Sequence, residues 1–320
     1  MRALLIFLLS LCAVSCSGIK APVQENNYVN IYKPAGDYFT SASTKVFKQG
    51  TWYDSWVPND HCFIKGDDGV WHLFGITHPE PPTMKSIHEG EHQSFHAISP
   101  TTDFKGSLND GAWIDKDKIL TTVDRPGEIA ANHAPYVVKN EDTYYMVYGH
   151  APMRLATSKD LYYWQPQGKI FYDNGEDTRD PNLFFHDGVY YISYCTKRKV
   201  AYRRSRDLMN WSEPQTIFET RDFDPESPSI VLRKGVFYLF VCGWDKDLAP
   251  EGGLKEIADG YQHKTYVYAT KDLKQGFDSR KLLTTLNSHA PEVFQDERGD
   301  WYISSVEYPY RGVSVDRLRW

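Results

Sequence analysis

One unit recurs five times in this chain, and that repetition limits the fold more than any other feature. A polar corner, usually holding a proline, opens onto an apolar strand, a turn rich in Asp, Asn, Glu, Lys or Gly, and an aromatic strand. The copies are Pro58-Asn59-Asp60 before "CFIKGDDGVWHLFG", His133-Ala134-Pro135 before "YVVKNEDTYYMVYG", and Arg179-Asp180-Pro181 before "NLFFHDGVYYISY". Glu226-Ser227-Pro228 then precedes "SIVLRKGVFYLFVCG", and His289-Ala290-Pro291 precedes "EVFQDERGDWYISSV". Each reads as a hairpin, because runs of β-branched and aromatic residues flank a short turn.

A second phrase follows the hairpins: "LATSKDLYYW" (155–164), "YRRSRDLMNW" (202–211), "VYATKDLKQGF" (267–277) and, more weakly, "FHAISPTTDF" (95–104). It supplies a third strand ending in a Ser/Thr-x-Asp-Leu turn, and the apolar stretch after it supplies a fourth. Four antiparallel strands repeated five times predict an all-β fold, a five-bladed β-propeller. The chain ends on "GVSVDRLRW" (312–320), a third strand without a fourth. An upstream segment, "YVNIY" (28–32) or "KVFKQ" (45–49), is expected to cover that edge and close the ring.

The N-terminus reads differently. Arg2 followed by the apolar run Ala3–Leu11 predicts a secretory signal over residues 1–15. Ala13-Val14-Ser15-Cys16 resembles a lipobox, so Cys16 is expected to carry a lipid anchor in the periplasm or at the outer membrane, with plain secretion as the alternative. Residues 16–26 are expected to be a tether and 27–320 the propeller. Lys and Arg number 36, Arg2 in the leader among them, against 42 Asp and Glu, which leaves the mature chain at −7. Without a basic tract, nucleic acid is excluded as a natural partner, and the only membrane contact expected is the anchor. Cys62, Cys195 and Cys242 sit in separate apolar runs, a pattern of buried thiols and not of disulfides or zinc ligands.

In a propeller the innermost strands meet at the axis, so the five unit openings converge. They carry Asp60, His133, Asp180, Glu226 and His289. Three acids around one axis are costly unless used. Glycoside hydrolysis uses such a set: one carboxyl group protonates the departing oxygen, a second attacks or activates water, and a third adjusts the donor's pKa. The ordinary alternatives are an Asx-turn at Asp60, an Arg179 salt bridge at Asp180, and a solvated acidic loop around Asp222, Asp224 and Glu226. Glu292, in "SHAPEVF", is a second candidate acid.

These motifs resemble the five-bladed glycoside hydrolases of families 43 and 32 over nearly the whole mature chain. The resemblance implies Asp60, in Trp56-Val57-Pro58-Asn59-Asp60, as base or nucleophile. It likewise implies Asp180, in Arg179-Asp180-Pro181, as modulator and Glu226, in Glu226-Ser227-Pro228, as acid. Two positions depart from the family patterns: His61 follows Asp60 where Pro is usual, and Ser-Pro follows Glu226. The expected substrate is a glycan cut by an exo-acting furanosidase of the arabinofuranosidase or fructofuranosidase type. The alternatives are a pyranosidase of the same fold, such as a xylosidase or anhydrogalactosidase, and a carbohydrate-binding propeller without catalysis. The chemistry requires no cofactor, and the resemblance leaves room for a channel ion near His289. Substrate contacts are expected from Trp56, Asn59, His61, His133, Arg179, Trp244 and His289. His92 and His96, four apart on one strand face, are about 13 Å apart and too distant to share a metal.

Overall fold

The computed structural model describes residues 18–82, 89–173, 178–244 and 261–320; the leader and Cys16 lie outside these. The recurring units form five antiparallel sheets. Blade one runs Trp56–Lys65, Trp71–Pro79, Gln93–Ile98 and Ile114–Ile119. Blade two runs Tyr136–Asn140, Thr143–Gly149, Met153–Ser158 and Gln165–Phe171. Blade three comprises Arg179–His186, Val189–Thr196, Lys199–Ser205 and Gln215–Glu219. Blade four comprises Asp224–Arg233, Val236–Trp244, Tyr261–Thr270 and Thr284–Leu286.

Blade five has Val293–Gln295, Trp301–Val306 and Val313–Arg319 from the C-terminal end. Its outer strand is Val29–Tyr32, which pairs with Val313–Val315. Of the two expected closing segments the first is therefore used. The segment 45–49 instead delivers Phe47 to a separate cluster with Phe39 and Trp56. Val23–Gln24 also pairs with Leu318–Arg319, so the region expected as a tether joins the sheet before residue 26. Strand pairing there satisfies backbone groups on an edge that would otherwise stay open.

Local chemistry explains the repeated phrases. In blades three and four the hairpin turns are Asp187-Gly188 and Lys234-Gly235, both residues of each pair at positive φ, which matches the right-handed twist of the strands they join. In the third-strand turns, the Ser158 hydroxyl accepts from the Leu161 amide at 2.9 Å, and Asp160 accepts from the amides of Tyr162 and Tyr163. Ser205 and Asp207 repeat this in blade three. The indole N–H groups of Trp164 and Trp211 then donate to the carbonyls of Leu161 and Leu208, each at 3.1 Å.

Each interface between neighbouring blades holds an apolar cluster. Cys62, Phe74 and Met146 join blades one and two; Leu155, Ile192 and Tyr194 join two and three. Val200, Leu239 and Tyr268 join three and four, while Phe240, Val267 and Ile303 join four and five. Phe63 stacks on Phe294 at 4.4 Å between blades five and one, and Ile31 of the closing strand lies in the same cluster. The ring is thus sealed by burial at every joint. The three cysteines are free and buried within it.

Ile31 is fully buried. Ile31→Ala is expected to cost about 2–5 kcal/mol, read as a lower urea midpoint at unchanged slope. A loss under about 1 kcal/mol would show that the N-terminal strand does not hold the ring closed.

Candidate active site

The innermost strands set the site through their register. Phe63 pairs with Leu73, Val137 with Met146, Leu183 with Ile192, Ile230 with Leu239 and Val293 with Ile303. Counting back three residues from the inner partner of each pair gives Asp60, Ala134, Asp180, Ser227 and Ala290. One residue further back gives Asn59, His133, Arg179, Glu226 and His289. The openings therefore form two tiers. The expected equivalence of Asp60 and Asp180 with His133, Glu226 and His289 is corrected by one residue: the two Asp side chains stand one step deeper than the Glu.

The outer tier faces a cleft of about 460 Å³, to which Asn59, His133, Arg179, Glu226, His289 and Trp244 all contribute. Asp60, Asp180 and Ser227 reach the floor of this cleft and also wall a small cavity beneath it. The three predicted acids are therefore brought together, although they come from blades one, three and four.

The contacts between them are direct. The Ser227 hydroxyl donates to Asp60 Oδ1, and the Ser227 amide donates to Asp180 Oδ2 at 3.2 Å. Arg179 lies 3.5 Å from Asp180 Oδ2 through Nε and 3.6 Å from Glu226 Oε1 through Nη2. One guanidinium thus joins the deeper acid to the shallower one. Burial, and next the negative charge of Asp180, push the Asp60 carboxyl up to about 7. Backbone strain accompanies this tier: Ala134, Asp180, Ser227 and Ala290 all adopt φ between +40° and +54°. Each such non-glycine residue costs on the order of 1–3 kcal/mol, and such strain persists where the surrounding structure enforces it.

Two expected substrate contacts are corrected. Trp56 is fully buried against Phe39 and Phe47, its indole N–H donating to the Tyr53 carbonyl at 3.1 Å, so no face is left for a sugar. The ribbon formed by Asp37–Tyr38 and Trp52–Tyr53 belongs to the segment that encloses it. His61 points away from the cleft into the small cavity, where its Nε2 lies 2.7 Å from Ser304 Oγ. Burial drops its pKa to about 3, so it is a neutral interior group. Glu292, the second candidate acid, also lies below the cleft, and Tyr136 donates to it at 2.8 Å.

Other groups in the cleft carry no signature in the repeats. Glu91 is buried and lies 3.0 Å from His133 Nε2, orienting a ring that faces the cleft. His150 and Lys197 also line it, as does Asp224, which Arg198 approaches at 3.6 Å. Lys197 sits at a turn tip and Glu91 just outside a strand, so neither falls on a repeated position. His96 meets its neighbour across the sheet: its Nε2 lies 2.9 Å from His72 Nδ1. Among the described residues, no three His, Cys, Asp or Glu side chains form a group able to hold a metal ion.

A closed ring of five sheets with acids from three blades gathered at its axis defines a glycoside hydrolase of the β-propeller class. The family model described as glycosyl hydrolases family 43 matches residues 123–303, and the chain belongs to that family. Solved structures share the fold. A thermostable family-43 glycoside hydrolase aligns at TM-score 0.59 and 16% identity over 82% of this chain and 89% of that one. An exo-1,5-α-L-arabinanase from a bovine ruminal metagenomic library aligns at 0.58 and 18% over 82% and 92%. The Bombyx mori family-32 β-fructofuranosidase BmSUC1 aligns at 0.60 and 18% over 81% of this chain and 59% of its own. Among curated proteins none matches this sequence.

Burial raises the Glu292 carboxyl from 4.5 to about 8. Between those values the native state keeps a proton that the unfolded chain has released, so stability falls as pH rises through this window. Glu292→Gln removes that contribution. Urea unfolding is expected to show the variant gaining on the wild type from pH 5 to pH 8; a constant difference would place an ionised Glu292 in the folded state.

Proposed function

We propose that the protein is an exo-acting furanosidase that removes terminal arabinofuranosyl units from a plant-type glycan by inversion. The convergence of Asp60 and Glu226 on one cleft, with Arg179 and Ser227 tying both to Asp180, carries this reading. Asp60 takes a proton from water as its oxygen bonds to the anomeric carbon, and Glu226 gives a proton to the departing glycosidic oxygen as that bond breaks. Asp180 holds the pair in register through Arg179 and Ser227. Asn59, His133, His289 and Trp244 contact the sugar. The arabinanase and the Clostridium thermocellum α-L-arabinofuranosidase among the similar structures support the sugar class. A terminal xylopyranosyl unit is the second reading, supported by likeness to a β-xylosidase/α-arabinofuranosidase solved with xylotriose.

The reading also carries export, with Cys16 acylated after removal of residues 1–15. Cys16→Ser is then expected to move the protein from the membrane fraction to the soluble exported fraction; an unchanged distribution would remove the anchor from the account.

Asp60→Asn and Glu226→Gln are each expected to lower kcat/KM on 4-nitrophenyl α-L-arabinofuranoside by about 10²–10⁴-fold with folding unchanged. Because the base must be ionised, wild-type kcat/KM is expected to rise with pH up to about 7, the position of the Asp60 carboxyl. NMR of the fresh product is expected to show the inverted anomer. Full activity in either variant would overturn the assignment, and activity confined to xylopyranosides would select the second reading.

A further inference from the structure

The small cavity beneath the cleft brings together three carboxyl groups, Asp60, Asp180 and Glu292, of which the reaction leaves Glu292 without a role. It measures about 20 Å³, room for a single water, and lies on the propeller axis. Asp60, Asp180 and Ser227 form its cleft side. Tyr136, Asn182 and Glu292, each two residues deeper than the tier of Asp180, form the opposite side. Glu292 is 4% exposed and held from two directions: Tyr136 donates to Oε1 at 2.8 Å, and the Glu292 amide donates to Ser304 Oγ at 3.1 Å. At this depth the other blades carry Cys62, Tyr136, Asn182 and Ser229, so the acid in blade five is not demanded by the repeat.

Polar groups on both sides satisfy what a buried water needs, two to four partners in a space of one probe volume. We propose that the cavity binds one water that links the Glu292 carboxyl to Asp60, making Glu292 a positioning residue that orients the base from below. This rests on the reading of Asp60 as the base. The groups facing Asp60 are Asp180, Ser227, the buried Cys242 thiol and, more distantly, Glu91; those facing Glu292 are Tyr136 and Cys62, with neutral His61 on the same wall. Since burial keeps Glu292 protonated at neutral pH, it donates toward the water, which in turn donates to the Asp60 carboxylate. Losing that chain removes one hydrogen bond from the charged form of Asp60 and favours its protonated form.

The test reads Asp60 directly and needs no turnover. The Asp60 carboxyl is followed by ¹³C NMR in Asp-labelled protein, assigned by difference from Asp60→Asn, in the wild type, Glu292→Gln and Glu292→Leu. The Leu variant is expected to raise the Asp60 midpoint by about one pH unit, the size of one lost hydrogen bond to a charged acceptor. The Gln variant, whose amide still donates, is expected to stay within about a third of a unit. A midpoint unmoved in a folded Leu variant overturns the proposal. If that variant does not fold, a high-resolution crystal structure of the wild type decides: an ordered water between Asp60 and Glu292 supports the proposal, and a dry cavity overturns it. Absence of glycosidase activity with the midpoint shift present would refute the reading of the reaction and leave the water-linked pair standing.

Discussion

Two carboxyl groups, buried Asp180 and half-buried Asp60, share one site at the propeller axis, and Ser227 binds both. Like charges so placed repel, and low polarity magnifies the repulsion. The arrangement persists only if something rigid forces it. Five sheets sealed to one another by apolar clusters supply that rigidity, and the closing strand Val29–Tyr32 completes it. The strained backbone at Asp180 and Ser227 belongs to the same logic, because a ring closed at every joint can hold conformations that an isolated strand would relax. The result is one acid with a raised pKa beside another held by a guanidinium, a division that lets carboxylates of similar chemistry perform different tasks.

Much of this was legible in the sequence because it is local. Hairpins announce themselves through period-two patterning and turns such as Asp187-Gly188, and the Ser-x-Asp-Leu phrase repeats because its side chains bond to amides two and three residues away. The missing strand of blade five pointed upstream for its partner, and Val29–Tyr32 fills it. The convergence of acids followed from the repeat, since the openings of the five units must meet around the axis even where their acids differ by one residue in depth.

What could not be read depended on single-residue depth or on segments outside the repeat. Asp60 and Glu226 differ in tier by one residue, which changes which cavity a side chain meets while leaving the motif unchanged in appearance. His61 took the place that proline holds in the other units, and the strand carried it inward to Ser304. Trp56 looked like a sugar platform because it stands at a corner, but Phe39 and Phe47 from an irregular segment cover it. Glu91 and Lys197 enter the cleft from beside a strand and from a turn tip, where no periodicity marks them.

The cleft joins these levels: local turns fix the strands, the closed ring fixes their register, and register delivers acids from blades one, three and four to one point. A crystal structure of the Glu226→Gln variant soaked with an arabino-oligosaccharide tests this most directly. The account predicts the glycosidic oxygen at hydrogen-bond distance from residue 226, with the anomeric carbon on the Asp60 side and Arg179 still bridging to Asp180. A sugar bound with its anomeric carbon away from both residues, in a protein that still folds, would contradict it.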